Sequence, residues 1–248
     1  MGNMTDAFRI EEDTAGRVAT VRLSRGASGN KIAAHEIPLL GRAIRELGGR
    51  PEFKLVLVRG DGENFCQGRA PDAPGMAPKT ALEIRKRVTE AILACYDDVR
   101  ATPVPVIAVV QGEAKGFGCA FVSQCDLAIG SDDARFALPE MDHHLPPTLA
   151  ISAMLHKVPP KRILHMVYTR GVIGAAEALS LGILSEVAPR ASLDAAVAKT
   201  VSSMVDRNRA ALVGVKEYMN GTLHADAYGS ARLASNLLAA VLSSPRED

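Results

Sequence analysis

The chain has 248 residues, of which 47% are hydrophobic and 23% charged, and its formal net charge at pH 7 is +1. These values are typical of one globular domain with a sizeable core, and they argue against a strongly basic surface for nucleic acid or membranes. Trp is absent and aromatic residues make up only 4%. We therefore predict no platform for stacking bases and no nucleic-acid partner.

The cysteines indicate a reducing environment, and the short apolar runs indicate a chain that does not span a membrane. Cys66, Cys95, Cys119 and Cys125 show no paired spacing, which favours free thiols in a cytoplasmic protein. No apolar run approaches about 18 residues, the length that a membrane-spanning helix needs. The start, MGNMTDAF, lacks the pattern of a signal peptide. We therefore expect a cytoplasmic protein with no membrane partner.

The N-terminal half alternates between predicted strands and helices. Apolar runs predict strands over 17–23 and 54–62, and a loop with three prolines and a glycine follows at 71–79. A long helix is predicted over 82–99. The apolar residues at helical spacing are Ile37, Leu40, Ile44 and Leu47 in the first helix, and Leu82, Val88, Ile92, Cys95 and Val99 in the second.

A glycine-rich turn follows the next buried strand, Val104–Val110. Its glycines, Gly112, Gly116 and Gly118, lead into a short apolar helix predicted over Cys119–Cys125. Glycine lets the backbone bend tightly and lets a ligand come close, and the start of a helix presents unpaired N–H groups. This turn is therefore suited to binding an oxygen atom that becomes negative during a reaction.

A carboxylate follows this turn. Two strands, predicted as a pair over 126–131 and 134–140, end at Glu140, which could move protons beside the turn. From about Leu149 onward the chain is almost entirely helical in pattern. The order of elements predicts an α/β protein with a helical C-terminal section.

Four segments, in order along the chain, resemble the sequence boxes of the crotonase superfamily, the enoyl-CoA hydratases and isomerases. They are NFCQGRAPD (64–72), PVIAVVQGEAKGFGCAFVSQCDLAI (105–129), ARFALPE (134–140) and YTRGVIGAAEALSLGILSEVAP (168–189). The resemblance implies a spiral of ββα turns with a C-terminal helical region. It divides the chain into a core at 1–195 that holds the active site and a helical trimerisation region at 196–248.

The resemblance also implies an acyl-CoA thioester as substrate and a homotrimer or hexamer as the assembly. Coenzyme A is then part of the substrate, and no separate cofactor or metal is expected. The backbone N–H groups of Arg69 and Phe117 would hold the thioester oxygen. Further substrate contacts are implied for Ala27 and Gly29, within Arg25–Lys31, and for Gly68, Ala70, Asp72, Gly116 and Gly118, with Arg69 and Phe117 among them.

The two acidic positions of the family map onto Ala120 and Glu140. Glu140 is the candidate base that moves a proton of the substrate. Alanine has no proton to give, so the chain lacks one of the two carboxylates that hydration in this family uses. A single base instead suits double-bond isomerisation, which we slightly favour.

Two alternatives stay open. In the first, the chain is a hydratase whose second group comes from Asp142, His143 or His144, since a histidine exchanges protons near neutral pH. His144 is the candidate catalytic residue among them. In the second, Ala120 and the bulky Phe117 mark an acyl-CoA-binding scaffold that has lost catalysis.

Overall fold

A computed structural model describes residues 6–75, 77–223 and 225–244. The strands are β1 (Phe8–Asp13), β2 (Val18–Leu23), β3 (Leu55–Gly60), β4 (Val106–Val110), β5 (Glu113–Lys115), β6 (Leu127–Ser131), β7 (Arg135–Ala137), β8 (Ile173–Gly174) and β9 (Glu186–Ala188). The helices are α1 (Ile37–Gly49), α2 (Ala81–Ile84), α3 (Glu90–Ala101), α4 (Phe117–Gln124), α5 (Thr148–Met154), α6 (Pro160–Thr169), α7 (Ala175–Ser180), α8 (Leu193–Val205), α9 (Arg209–Thr222) and α10 (Ala227–Ser243).

The strands form two sheets, and the chain passes repeatedly from one to the other. The larger sheet has the order β1-β2-β3-β4-β6-β9, and the smaller has the order β5-β7-β8. Thus β4 enters the larger sheet, β5 enters the smaller sheet and α4 follows; β6, β7 and α5 repeat this pattern. This is the ββα spiral that the resemblance implies.

The centre of the larger sheet is parallel and apolar. β3 pairs with β2 and β4, and β4 pairs with β6, all in parallel. Every residue of β4 is buried, as are Leu55–Val58 of β3. Continuous apolar runs of this kind are typical of parallel strands that are covered on both faces. The buried strands predicted at 54–62 and 104–110 are therefore confirmed.

Two predicted elements need correction. The strands at 126–131 and 134–140 do not pair with each other, because β6 lies in the larger sheet and β7 in the smaller one. The predicted helix at 82–99 is built from α2, a π-helical turn and α3. Its apolar stripe becomes buried only from Ala91 onward, and Leu82 is 60% exposed.

Strands β1, β5, β8 and β9 were not predicted. β1 and β5 read FRIEED and EAK, in which charged residues hide the strand pattern. Helix α4 begins at Phe117, two residues before the predicted start. The first helix is confirmed, with its four predicted apolar residues buried.

The C-terminal helices cover the second face of the larger sheet. Leu193 and Val197 of α8 join a buried cluster with Leu55 and Ile107 of the central strands. Over the ranges that the structure describes, no helix has the length and hydropathy required to cross a bilayer.

Candidate active site

Two backbone segments run side by side. The first glycine box is NFCQGRAPD (64–72), with the first turn at Gly68, and the second is the glycine-rich turn with Gly112, Gly116 and Gly118. Cys66 and Ala114 form a parallel bridge, in which the Cys66 N–H donates to the Glu113 carbonyl at 3.1 Å and the Lys115 N–H donates to the Cys66 carbonyl at 2.9 Å. The side-chain oxygen of Asn64 accepts the Glu113 N–H at 2.9 Å. These bonds hold the first glycine box against the second, although some 50 residues separate them.

The N–H of Arg69 points away from Ile32, the residue with which Arg69 is paired. Ile32 and Arg69 form a parallel bridge, in which Ile32 donates to the Gly68 carbonyl at 3.1 Å and accepts the Ala70 N–H at 2.8 Å. In such a bridge the opposite residue directs its own N–H to the other side. No backbone acceptor for the Arg69 N–H is found in the parts of the chain that the structure describes.

The N–H of Phe117 lies nearby. Phe117 is the first residue of α4, so its N–H has no acceptor within the helix. Gly116 precedes it at φ +52°, a conformation that favours glycine. A Cβ atom built on Gly68 would lie 3.2 Å from the Lys115 carbonyl oxygen and 4.0 Å from the Phe117 nitrogen. The two glycine turns therefore converge.

The carboxylate of Glu140 lies against the same turn. Glu140 belongs to a 3₁₀ turn, Pro139–His143, and a Cβ atom on Gly116 would lie 2.9 Å from Glu140 Oε1. Its other oxygen, Oε2, is enclosed and has no hydrogen-bond partner among the described residues. Burial raises the pKa of Glu140, and a hydrogen bond to its own backbone partly opposes that rise. A raised pKa makes the carboxylate a stronger base, which suits a group that takes up a proton and returns it.

The remaining predicted substrate-binding residues line the first turn. Gly29 accepts the Gln67 N–H at 2.8 Å, and this bond places the Arg25–Lys31 segment beside Gly68. Ala27 is exposed on that segment. The Arg69 side chain is exposed and pairs with Asp72 at 3.1 Å. A surface cleft lies beside Asp72; it is lined also by Ala34, His35, Pro38, Lys86, Arg87 and Ala91.

The candidate second groups lie at the surface, whereas Ala120 is inside. Asp142, His143 and His144 are all exposed, and Asp142 pairs with Arg170 at 3.2 Å. His144 ends the 3₁₀ turn in a left-handed conformation, with φ at 58°. Ala120 is fully buried on α4, where Gly118 packs closely against the backbone of Cys66.

The thiols near the site lie in surroundings that disfavour the thiolate. All four cysteines are free and buried. Burial raises the pKa of Cys66 to about 12, and burial together with the charge of Glu140 raises that of Cys119 to about 12. A thiol that keeps its proton is a poor nucleophile. Within the described ranges, no three His, Cys, Asp or Glu side chains are grouped as a metal site would require.

Several residues that shape the site were not assigned a role from the sequence. Ile32, Asn64 and Gln67 hold the first turn through the bonds described above. Asn64 and Gln67 lie inside the NFCQG stretch of the first box, and this position could have indicated that they belong to the site. Ile32 lies outside every box, and the sequence carries no sign of its pairing with Arg69.

Comparison with known proteins supports the fold and the family. The sequence model of the family described as Enoyl-CoA hydratase/isomerase matches residues 13–244. A crystal structure of enoyl-CoA hydratase from Mycobacterium smegmatis superimposes with a TM-score of 0.89 at 26% identity and covers 96% of this chain and 92% of its own. The crystal structure of human enoyl-CoA hydratase domain-containing protein 3 gives 0.88 at 25% identity, with 96% and 92% covered.

Similar curated protein sequences support the same family. The human mitochondrial enoyl-CoA hydratase domain-containing protein 3 is 33% identical over 142 residues, which are 57% of this chain and 46% of that protein. The chain thus spans about half the length of the human protein and of its counterparts from mouse, rat and Xenopus laevis. The probable enoyl-CoA hydratase echA8 of Mycobacterium bovis is 27% identical over 216 residues, with 87% and 81% covered. From its boxes, its ββα spiral and these matches, the chain belongs to the enoyl-CoA hydratase/isomerase family of the crotonase superfamily.

Proposed function

We propose that this protein is an acyl-CoA enzyme that stabilises a thioester enolate, with Glu140 as the base, and that it moves a carbon–carbon double bond. The observation that carries the proposal is the Glu140 carboxylate: its Oε2 is enclosed and has no partner among the described residues, and its Oε1 lies against the turn before α4. A buried carboxyl group without a partner is costly for stability and is typical of a functional site.

In the proposed step, the N–H groups of Arg69 and Phe117 donate to the thioester oxygen of a 3-enoyl-CoA. Glu140 takes a proton from C2, and the electron pair passes into the thioester oxygen to form a dienolate. Glu140 then returns the proton to C4, so that the double bond moves to C2–C3 and the base is restored. Each fixed donor to such an oxyanion is worth about 3–4 kcal/mol.

Isomerisation is favoured over hydration because Ala120 offers no second acid or base, and because Asp142, His143 and His144 are exposed. Hydration is the second candidate, since relatives carry the name enoyl-CoA hydratase. Another relative, from Rhodococcus jostii, is named as a CoA-ester hydrolase; it is 27% identical over 201 residues, 78% of this chain and 74% of its own length. Relatives of the chain therefore differ in the reactions for which they are named.

The test offers trans-3-hexenoyl-CoA and trans-2-hexenoyl-CoA to the protein and separates the products by liquid chromatography. We expect 2-enoyl product from the first substrate and little 3-hydroxyacyl product from the second. The variant Glu140→Gln should lower kcat by about 100- to 10,000-fold. The matched control is Glu46→Gln, since Glu46 is exposed on α1.

The alternatives give different results. Rapid formation of 3-hydroxyhexanoyl-CoA would assign the hydratase reaction instead. If the protein binds both thioesters but turns over neither, and Glu140→Gln leaves the affinity unchanged, the chain is an acyl-CoA-binding scaffold.

A further inference from the structure

Tyr96 is a polar residue on the apolar face of α3. The other buried residues of this helix are Ala91, Ile92, Cys95 and Val99. Tyr96 is only 3% exposed. Phenylalanine would fill nearly the same volume without burying a hydroxyl group, so the hydroxyl requires an explanation.

The ring of Tyr96 lies against the proposed oxyanion turn. It stacks on the ring of Phe117, with centroids 6.0 Å apart and an angle of 7° between the planes. Phe117 packs in turn on Phe121, at 5.8 Å between centroids. Because Phe117 supplies one proposed donor to the thioester oxygen, Tyr96 stands next to the reacting end of the substrate.

Within the described ranges the Tyr96 hydroxyl makes no hydrogen bond, and its oxygen is not one of the fully enclosed unpaired atoms, so part of it stays accessible. Other buried hydroxyl groups have partners. Thr102 donates to the Asp98 carbonyl at 2.8 Å, and Ser123 donates to the Cys119 carbonyl at 3.3 Å. A side chain that is almost entirely buried but keeps an unpaired, accessible hydroxyl presents a hydrogen-bond donor to a bound ligand.

The surroundings keep this hydroxyl protonated. Burial raises the pKa of Tyr96 well above its usual value, and the nearby Cys95, Cys119 and Glu140 groups add to the rise. Tyr96 is therefore a neutral hydrogen-bond donor at any working pH. Glu140 Oε2 also lacks a partner, yet no hydrogen bond joins it to Tyr96 among the described contacts. Each group is thus available to a ligand.

We propose that the Tyr96 hydroxyl contacts the substrate and donates a hydrogen bond to an oxygen atom on the acyl group, beyond the thioester. The inference rests on the proposed acyl-CoA function and narrows its substrate class to acyl groups that bear a hydroxyl or keto oxygen. The thioester oxygen already has two backbone donors, and a hydrocarbon chain offers no acceptor. Tyr96 on α3 then provides the polar group that Ala120 does not provide on α4.

The test measures binding of butyryl-CoA, 3-hydroxybutyryl-CoA, 4-hydroxybutyryl-CoA and acetoacetyl-CoA by isothermal titration calorimetry. We expect the wild-type protein to bind at least one oxygenated ester about tenfold more tightly than butyryl-CoA, as one hydrogen bond allows. Tyr96→Phe should remove that preference and leave butyryl-CoA affinity unchanged or slightly improved. Tyr168→Phe, at a residue that is 71% exposed, is the matched control.

The outcomes separate the two proposals. If the wild-type protein binds none of the esters, the proposed acyl-CoA function fails. If it binds butyryl-CoA as tightly as every oxygenated ester, or if Tyr96→Phe retains the preference, the role of Tyr96 is refuted while the acyl-CoA function stands. Even if Tyr96→Phe does not fold, the wild-type comparison can refute the role of Tyr96.

Discussion

At the scale of single residues, the site depends on groups that the fold leaves unpaired. Arg69 and Phe117 are unusual side chains beside an oxyanion, but the proposal needs only their backbone N–H groups, which belong to two glycine turns that converge. Gly116 lets the chain turn at φ +52° and leaves space for Glu140. A side chain at Gly116 would be strained and would also displace the carboxylate.

The pKa of Glu140 predicts a pH-dependent difference in stability between the wild-type protein and Glu140→Gln. Burial raises the pKa of Glu140 above its ordinary 4.5, so the folded state holds the proton over a pH range in which the unfolded state has lost it. In that range the wild-type free energy of unfolding falls as pH rises. Glutamine does not titrate, so the stability of Glu140→Gln relative to the wild type should increase above pH 4.5.

Urea unfolding of both proteins between pH 4 and pH 8 measures this difference. Acid-sensitive groups elsewhere affect both proteins alike and cancel. A difference that stays constant over the whole range would show that burial does not raise the pKa of Glu140.

At the scale of elements, α9 is tied to the core by a buried lysine. Lys216 is 6% exposed, and its Nζ donates to the Val99 carbonyl at 3.1 Å, to the Val104 carbonyl at 3.3 Å and to the Asp126 carboxylate at 2.7 Å. Asp126 also accepts the Val106 N–H at 2.7 Å. One side chain therefore joins α9 to the end of α3, to the start of β4 and to the segment before β6.

Lys216→Ala should destabilise the fold by about 1–3 kcal/mol, because it leaves two carbonyl groups and the Asp126 carboxylate without their partner. Chemical unfolding followed by circular dichroism measures the loss. Lys199→Ala, at an exposed position on α8, should change stability by less than about 0.5 kcal/mol. Equal effects of the two substitutions would mean that the Lys216 contacts do not stabilise the protein.

At the scale of the whole molecule, the C-terminal helices expose apolar side chains. The residues concerned are Val215, Met219, Tyr228, Leu238 and Leu242, each at least 60% exposed. Apolar side chains concentrated on adjacent helices are typical of an interaction surface. We propose that α9 and α10 join copies of this chain in a homotrimer or hexamer.

The double variant Leu238→Lys with Leu242→Lys should dissociate such an assembly, because burying two charges without partners opposes association. Sedimentation velocity should give three or six chain masses for the wild type and a smaller species for the variant. Leu82→Lys, at an exposed leucine on α2, is the control. A wild-type protein that sediments as a monomer would refute the proposal.

Local sequence was sufficient for the buried strands, the first helix, the glycine turns and the family. A run such as VIAVV of β4 indicates residues that will be buried, because apolar side chains avoid water whichever residues they pack against. The charged strands β1 and β5 could not be predicted, because their pairing is decided by neighbours elsewhere in the chain.

The arrangement of the site was decided by the tertiary structure. Glu140 was a candidate from the sequence, but its enclosed and unpaired oxygen became visible only with Gly116 packed against it. Tyr96 belongs to none of the matched boxes, and its contact with Phe117 spans 21 positions. A sequence pattern records the preference of each residue for burial, whereas the availability of a hydrogen-bonding group depends on which distant groups are folded against it.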